Sequence, residues 1–415
     1  MRFFNPVAIV VSAAALSLPL VSMIHRPWGA PTDYEAELAH TRASISAFEE
    51  RRGDAESVTR LPHRRFHLAL LTGRPADFAA ADTALDRAIG EAGPLAELYL
   101  IKASLDLRLH RLDAADRDLA ALRRFAGNAQ IVAMNASLAL QRGDYATAKA
   151  GYLTAIEKNP TWDNLARLAY WEWKFGDPEV ADRLYERAQQ HLAAKDKRAW
   201  AWLALERGLV AFNRGRYGDA ATHYAQAGRA YSGYWLVDEH VAELLGAERK
   251  FDRAIALYEA VLVRVPRPEL QQALGDLLRS MGREAQATPW HDRALAGYLE
   301  SAERGEVHYY HHLAGFYADV RLDGVEAVKW ARKDVDLRPS FFTQDALAWA
   351  LYRDGRFAAA LDTAQNALAS GANDTHLLFH AAMIHLAAGR TVEGKRFLEK
   401  VARLNPGFEN FHVHR

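Results

Sequence analysis

The chain has 415 residues, half of them hydrophobic, and 52 basic residues balance 52 acidic ones. That length can bury a sizeable core, while zero net charge argues against a nucleic-acid binder, which needs excess Lys and Arg to displace counterions from phosphates. The absence of cysteine excludes a disulfide framework, thiolate metal sites and a thiol nucleophile.

At the N-terminus, Met1 and Arg2 precede an apolar run over residues 7–18 that continues less cleanly through Pro19 to Ile24. This predicts a secretory signal peptide within residues 1–30, or an uncleaved membrane anchor, since 18 apolar residues are the lower limit for spanning a bilayer. The expected location is periplasmic or secreted, or anchored in the inner membrane and facing the periplasm. Arginine outnumbers lysine 41 to 11 and alanine is plentiful, the usage of a GC-rich bacterial genome. A helical stretch from about Asp33 to Arg52 follows and predicts a cap over residues 31–61.

From residue 62 to residue 406 one phrase recurs: a Gly or polar residue, then an aromatic, then a small residue. Gly143-Asp144-Tyr145 leads to Ala148, Gly215-Arg216-Tyr217 to Ala220, and Gly355-Arg356-Phe357 to Ala360. The small positions are 81, 115, 148, 181, 220, 254, 287, 327, 360 and 394, spaced 34, 33, 33, 39, 34, 33, 40, 33 and 34. Four residues later stands a ring in several copies (Tyr152, Tyr185, Tyr224, Tyr258), and seven later another small residue. Twelve later comes Pro160, Pro266, Pro339 or Pro406. Offsets of four and seven mark one face of a helix, small residues admit a neighbouring helix, and proline ends it. Each unit therefore reads as two antiparallel helices joined by a tight turn. The intervals of 39 and 40 mark insertions near residues 189–197 and 298–307, expected as extended helices or surface loops. The tail over residues 407–415 carries Phe408 and Phe411, which can close the last core.

This pattern resembles the tetratricopeptide repeat family over roughly residues 62–406. The resemblance implies an all-α, right-handed superhelical solenoid of about ten helix pairs, each burying its apolar face against the next. It departs from the consensus at the first-helix Trp, generally absent, and at Gly394, where Ala is expected. In this family the first helix of each pair lines the concave surface. Counting back from the small positions places Tyr170, Trp173, Trp202 and Phe212 there, with Phe342, Asp345, Trp349 and Tyr352 towards the C-terminus. Glu239, Glu243, Glu269, Gln272, Asp276 and Arg279 lie between. Such a groove suits an extended peptide, an amphipathic helix or a glycan. The Lys, Arg and Asn set by which family members clamp a carboxyl terminus is not evident.

Residues 389–395 fit the start of a phosphate-binding loop, but Arg396 stands where Ser or Thr is needed and a helical stretch precedes it. His308 and His312, four apart, share a helix face and offer the best metal pair, with Asp319 further along. His376 and His380 form a second pair, yet the spacing demands no third ligand for either. No catalytic constellation stands out and no cofactor is expected. The sequence predicts a non-catalytic scaffold that binds a protein or peptide in its groove and assists assembly of an envelope complex. The alternative is a small-ligand binder, taking a metal through the C-terminal histidines or a glycan through the aromatic groove. Neither reading involves nucleic acid, and a membrane enters only through the N-terminal anchor.

Overall fold

The computed structural model describes residues 31–51, 53–93, 95–122 and 128–413. The expected signal or anchor segment lies outside the described residues, and no described helix is long and apolar enough to cross a membrane. The body, from Thr32 onward, is one compact unit built entirely of helices among the described residues.

Helix α1 (Asp33–Glu50) starts at a capping box in which the Thr32 side chain accepts from the Glu35 backbone and Glu35 reaches back. Ten antiparallel pairs follow. They are α2 (Ala55–Thr72) with α3 (Pro75–Ala92), α4 (Ala96–Arg108) with α5 (Leu112–Ala121), and α6 (Ala129–Gln141) with α7 (Tyr145–Lys158). Next come α8 (Trp162–Phe175) with α9 (Pro178–Gln190), α10 (Lys197–Phe212) with α11 (Tyr217–Ala230), and α12 (Trp235–Ala247) with α13 (Phe251–Arg264). The last are α14 (Pro268–Ser280) with α15 (Glu284–Glu303), α16 (Tyr310–Phe316) with α17 (Gly324–Leu337), α18 (Phe341–Arg353) with α19 (Phe357–Ala369), and α20 (Thr375–Ala387) with α21 (Thr391–Leu404). The first pair opens at Ala55, ahead of residue 62, because Pro62 sits inside α2 rather than at its start. The interval of 40 is taken up by α15, which runs 20 residues, and α16 passes into a wide π-helical turn over Tyr317–Arg321.

The recurrent small residues explain how closely the helices pack. All nine alanines, from Ala81 to Ala360, have zero exposure. The rings four residues on, Tyr152, Tyr185, Tyr224 and Tyr258, are fully buried beside them. Burial of such a ring is worth about 2–3 kcal/mol in area removed from water. Where the facing helix offers glycine the ring comes closer still: a methyl on Gly208 would overlap the Tyr224 ring, and one on Gly275 the His291 ring. First helices of neighbouring pairs touch one another (α2 with α4, α4 with α6, α16 with α18, α18 with α20), so they occupy the inside of the curve.

The curve is tight enough for the chain to meet itself. The Tyr145 hydroxyl accepts from the Phe341 backbone N–H at 2.6 Å, across 196 residues. Lys174 pairs with Asp374 across 200, and the Tyr217 hydroxyl donates to the Gly407 carbonyl across 190. At the start, the Ser232 backbone N–H donates to Asp33 and the Tyr34 N–H donates to the Ser232 carbonyl. One superhelical turn thus takes roughly six repeat lengths, and the second turn rests on the first. The contact is regular. Hairpin tips of the first turn (Gly73, Gly143, Gly215) meet the segments that follow second helices of the second turn (Arg267, Pro339, Asn405). Phe341 joins Tyr145 and Phe175 in an apolar cluster that bridges the seam.

Gly143 and Gly355 stand at equivalent tips with φ of +82° and +74°, so alanine strains both by roughly 1 kcal/mol. Only at Gly143 would the methyl also come within 2.8 Å of the Pro339 carbonyl oxygen, whereas at Gly355 it meets open space. Gly143→Ala is expected to lower the thermal midpoint more than Gly355→Ala, by the equivalent of about 1–2 kcal/mol. Equal shifts would show that the seam adds nothing to stability.

Candidate functional site

Because the turns stack, first helices of both turns contribute to one inner wall, as the Lys174–Asp374 pair shows. Tyr170 on α8 lies edge-on to Trp173, ring centroids 6.1 Å apart. The Lys174 ammonium sits 4.1 Å over the Trp173 ring and pairs with Asp374 at 2.8 Å. Burial disfavours charge on Lys174, but Asp374 outweighs it and the pKa rises above the usual lysine value. Burial also opposes ionisation of Asp374, yet Lys174 beside it holds the carboxyl well below the usual range.

Tyr170 is 38% exposed, and still burial is the leading cause that raises its hydroxyl pKa. Both hold together when a side chain faces water in a space walled by protein. Arg108, the last residue of α4, is alike. It reaches water, yet burial first and the Arg267 charge second depress its pKa. Its guanidinium lies 5.6 Å over the Phe78 ring and makes no ion pair among the described residues.

Further along the wall, burial pushes Glu206 and Glu239 up to about 7. Glu206 accepts from the Tyr185 hydroxyl at 3.4 Å. His240 bonds to Glu243 at 3.2 Å; burial opposes its charge, but that bond and Glu239 raise its pKa. Glu269 pairs with Arg267, which lies 4.9 Å from the Trp235 ring, and accepts from the Tyr309 hydroxyl at 3.1 Å. Burial would raise Glu269, but Arg267 brings it down to about 2. His308 is pushed down to about 4 by burial and is neutral at physiological pH. The wall is therefore a balanced set of charges with rings between them.

The residues expected on this surface divide. Tyr170 is exposed, Trp173 beside it is half-buried against the core, and Phe342 is exposed with its ring stacked on His311 at 4.1 Å. Trp202 is half-buried against Trp162. Phe212 is not on the wall; it is buried in the core against Tyr217, because α10 is apolar nearly all round and turns that position inward. Glu239, Glu243 and Asp345 are buried, and two of them are engaged within the chain: Glu243 accepts from the Val413 N–H at 2.9 Å, and Asp345 from His380 at 2.9 Å. Trp349 stacks on His380 at 4.3 Å and donates to Asp319 at 3.0 Å, with Tyr352 stacked behind it. Gln272 accepts from the Tyr298 hydroxyl, and Asp276 holds His291 and Arg279.

His308 and His312 do not form a metal centre. The His308 ring lies against Phe78 and Tyr309, His312 lies against Tyr298 and Tyr309, and Asp319 is spent on Trp349. Among the described residues no three His, Asp or Glu gather in a way that could hold an ion.

Sequence reasoning missed Arg108, Lys174, Glu206 and Arg267 on the wall. A signal existed for Glu206, a lone carboxylate inside the apolar run from Trp200 to Leu205 and on to Val210.

No family model matches the chain, and no curated protein matches it. Among solved structures, a human IFIT1 dimer with PPP-AAAA is similar over 90% of this chain and 89% of that one, at 14% identity and a TM-score of 0.45. The APC/C hetero-tetramer Cut9-Hcn1 is similar over 92% and 76%, at 14% identity and a TM-score of 0.45. A tetratricopeptide repeat protein from Parabacteroides merdae is similar over 66% and 93%, at 14% identity and a TM-score of 0.36. The architecture rests on the ten pairs of the chain itself, with their buried alanines, rings and loop prolines. The fold is a tetratricopeptide-like solenoid.

The raised carboxyl of Glu206 carries a sign. The folded state holds its proton from the ordinary 4.5 up to about 7, so stability falls as pH rises through that window. Glu206→Gln fixes the neutral form. Relative to the parent, the variant is expected to gain about 1–3 kcal/mol between pH 5 and pH 8 in denaturant unfolding. A difference independent of pH would mean that Glu206 ionises as it does in water.

Proposed function

We propose that this protein is a non-catalytic scaffold that receives a protein partner along its inner wall and helps assemble a complex in a bacterial envelope. The observation that supports this most is the patch formed by Tyr170, Trp173 and Lys174, where an exposed ring, a half-buried ring and a seated cation stand together on the inner wall. Rings held rigid by their neighbours bind with little loss of rotamer freedom, and they are the anchors on which recognition surfaces rely. The balance of charge along the wall favours a polypeptide of mixed sign over a polyanion.

The double variant Tyr170→Ala, Trp173→Ala is expected to weaken capture of the native partner at least tenfold while circular dichroism stays unchanged. The comparison is a quantitative pull-down from envelope extract against the parent chain, read as stoichiometry of the recovered partner. Undiminished capture would remove the inner wall from the reading.

The envelope setting rests on the apolar segment near the N-terminus. Fractionation of cells producing the full chain is expected to recover it from the periplasm or the inner membrane. Recovery from the cytoplasm would overturn the setting and leave the scaffold reading intact.

A further inference from the structure

The seam between superhelical turns has two halves. One is a row of hairpin tips, and the other is a row of interhelix loops. In the first turn the tips are covered. Methyl groups on Gly73, Gly143 and Gly215 would run into Arg267, Pro339 and Asn405 of the second turn. The residue that begins the second helix at two of these tips, Tyr145 or Tyr217, is hydrogen-bonded across the seam, to Phe341 and to Gly407.

In the second turn the equivalent tips are bare. Methyl groups on Gly282, Gly355 and Gly389 would meet nothing within 4 Å. Phe357, which stands three residues before Ala360 as Tyr145 stands before Ala148, is 40% exposed. Beside it along the same edge, Val325 is 69% exposed, Leu322 66% and Val392 62%. These four belong to successive hairpins that touch one another, so they form one apolar stripe rather than scattered residues.

The loops of the first turn carry the other half. Pro160-Thr161-Trp162 repeats the spacing of Pro339-Ser340-Phe341, the loop that seats Tyr145. Tips and loops stand at opposite ends of the hairpins, Pro160 and Trp162 are half-buried, and each edge is the counterpart of a surface that this same chain already joins within itself.

We propose that the bare second-turn tips dock the first-turn loops of a second copy of this chain, continuing the intramolecular seam from one molecule to the next. The occupant is specified by that continuity, since the covered and the bare halves share the same repeat positions. A contact between two different faces does not close on itself, so the copies add head to tail into open chains.

Sedimentation velocity of the full chain tests this. The weight-average mass is expected to rise steadily with concentration and pass beyond a dimer. Val325→Asp with Val392→Asp, both exposed and so harmless to folding, is expected to weaken association at least tenfold while the thermal midpoint holds. Pro160→Arg, on the opposite edge, is expected to do the same. Mixing the tip variant with the loop variant should give a one-to-one dimer that grows no further, because one intact tip edge meets one intact loop edge.

Mass that stops at a dimer for the parent chain would indicate a symmetric interface and overturn the proposal. Association that neither variant weakens would do so as well. A monomer at every concentration also overturns it, and hydroxyl-radical footprints protecting Val325 and Val392 in that monomer would assign the stripe to residues 1–30 of its own chain.

Discussion

The backbone N–H of Phe341 donates to the hydroxyl of Tyr145 at 2.6 Å, and the other features of this molecule are arranged around contacts of that kind. A solenoid whose neighbouring pairs touched only each other would present its first helices to open solvent. Here Tyr145, Lys174 and Tyr217 tie the first turn to the second. The inner faces of the two turns then share one wall. Arg108 and Tyr170 owe their combination of water access and desolvation to that geometry.

Such closeness requires small side chains where helices cross. Alanines at zero exposure recur through the repeats, and bulk is confined to the ring one helical turn later, which fills the gap they leave. The same economy of space leads most charges on the inner wall to pair, Arg108 over its ring excepted. Lys174 with Asp374, Arg267 with Glu269 and His240 with Glu243 are each composed of groups that could not remain ionised alone at such depth. Among the described residues Glu206 and Glu239 bond to no cation, and burial pushes both up to about 7 instead.

The repeat was legible in the sequence because its determinants are local. A small residue, a ring four places on and a proline twelve places on all act within one helix and its end. The tip between α6 and α7 was equally readable, with Gly143 to turn the chain and Asp144 to cap the next helix. The seam was not, since nothing near Tyr145 announces a partner 196 residues away. The candidate site suffered from the same blindness. Helical counting put Tyr170 and Trp173 on one helix side, where their rings do meet, but it could not see that α10 turns Phe212 into the core or that the tail draws Glu243 into a bond with Val413. The paired histidines, a metal pair only in the alternative reading, were expected on one helix face. The structure leaves His308 in the turn ahead of α16, and Phe78, Tyr298 and Tyr309 pack around the two rings.

At the α1 end the seam is broad, with Asp33 and Glu37 paired to Lys197 and Arg198. Around Phe341 it is thin: a few hydrogen bonds, the Lys174–Asp374 pair and a ring cluster, and each such bond contributes only about 0.5–1.5 kcal/mol. Parting it locally costs far less than unfolding a repeat. A partner admitted while the seam is parted, and then enclosed, enters and leaves at rates scaled by the same small open fraction. Exchange is slowed in both directions while affinity is unchanged. A shallow binding surface would turn over freely with its ligand; under the proposed reading, one reached only past a parted seam can set a long residence time without a tight contact anywhere along it.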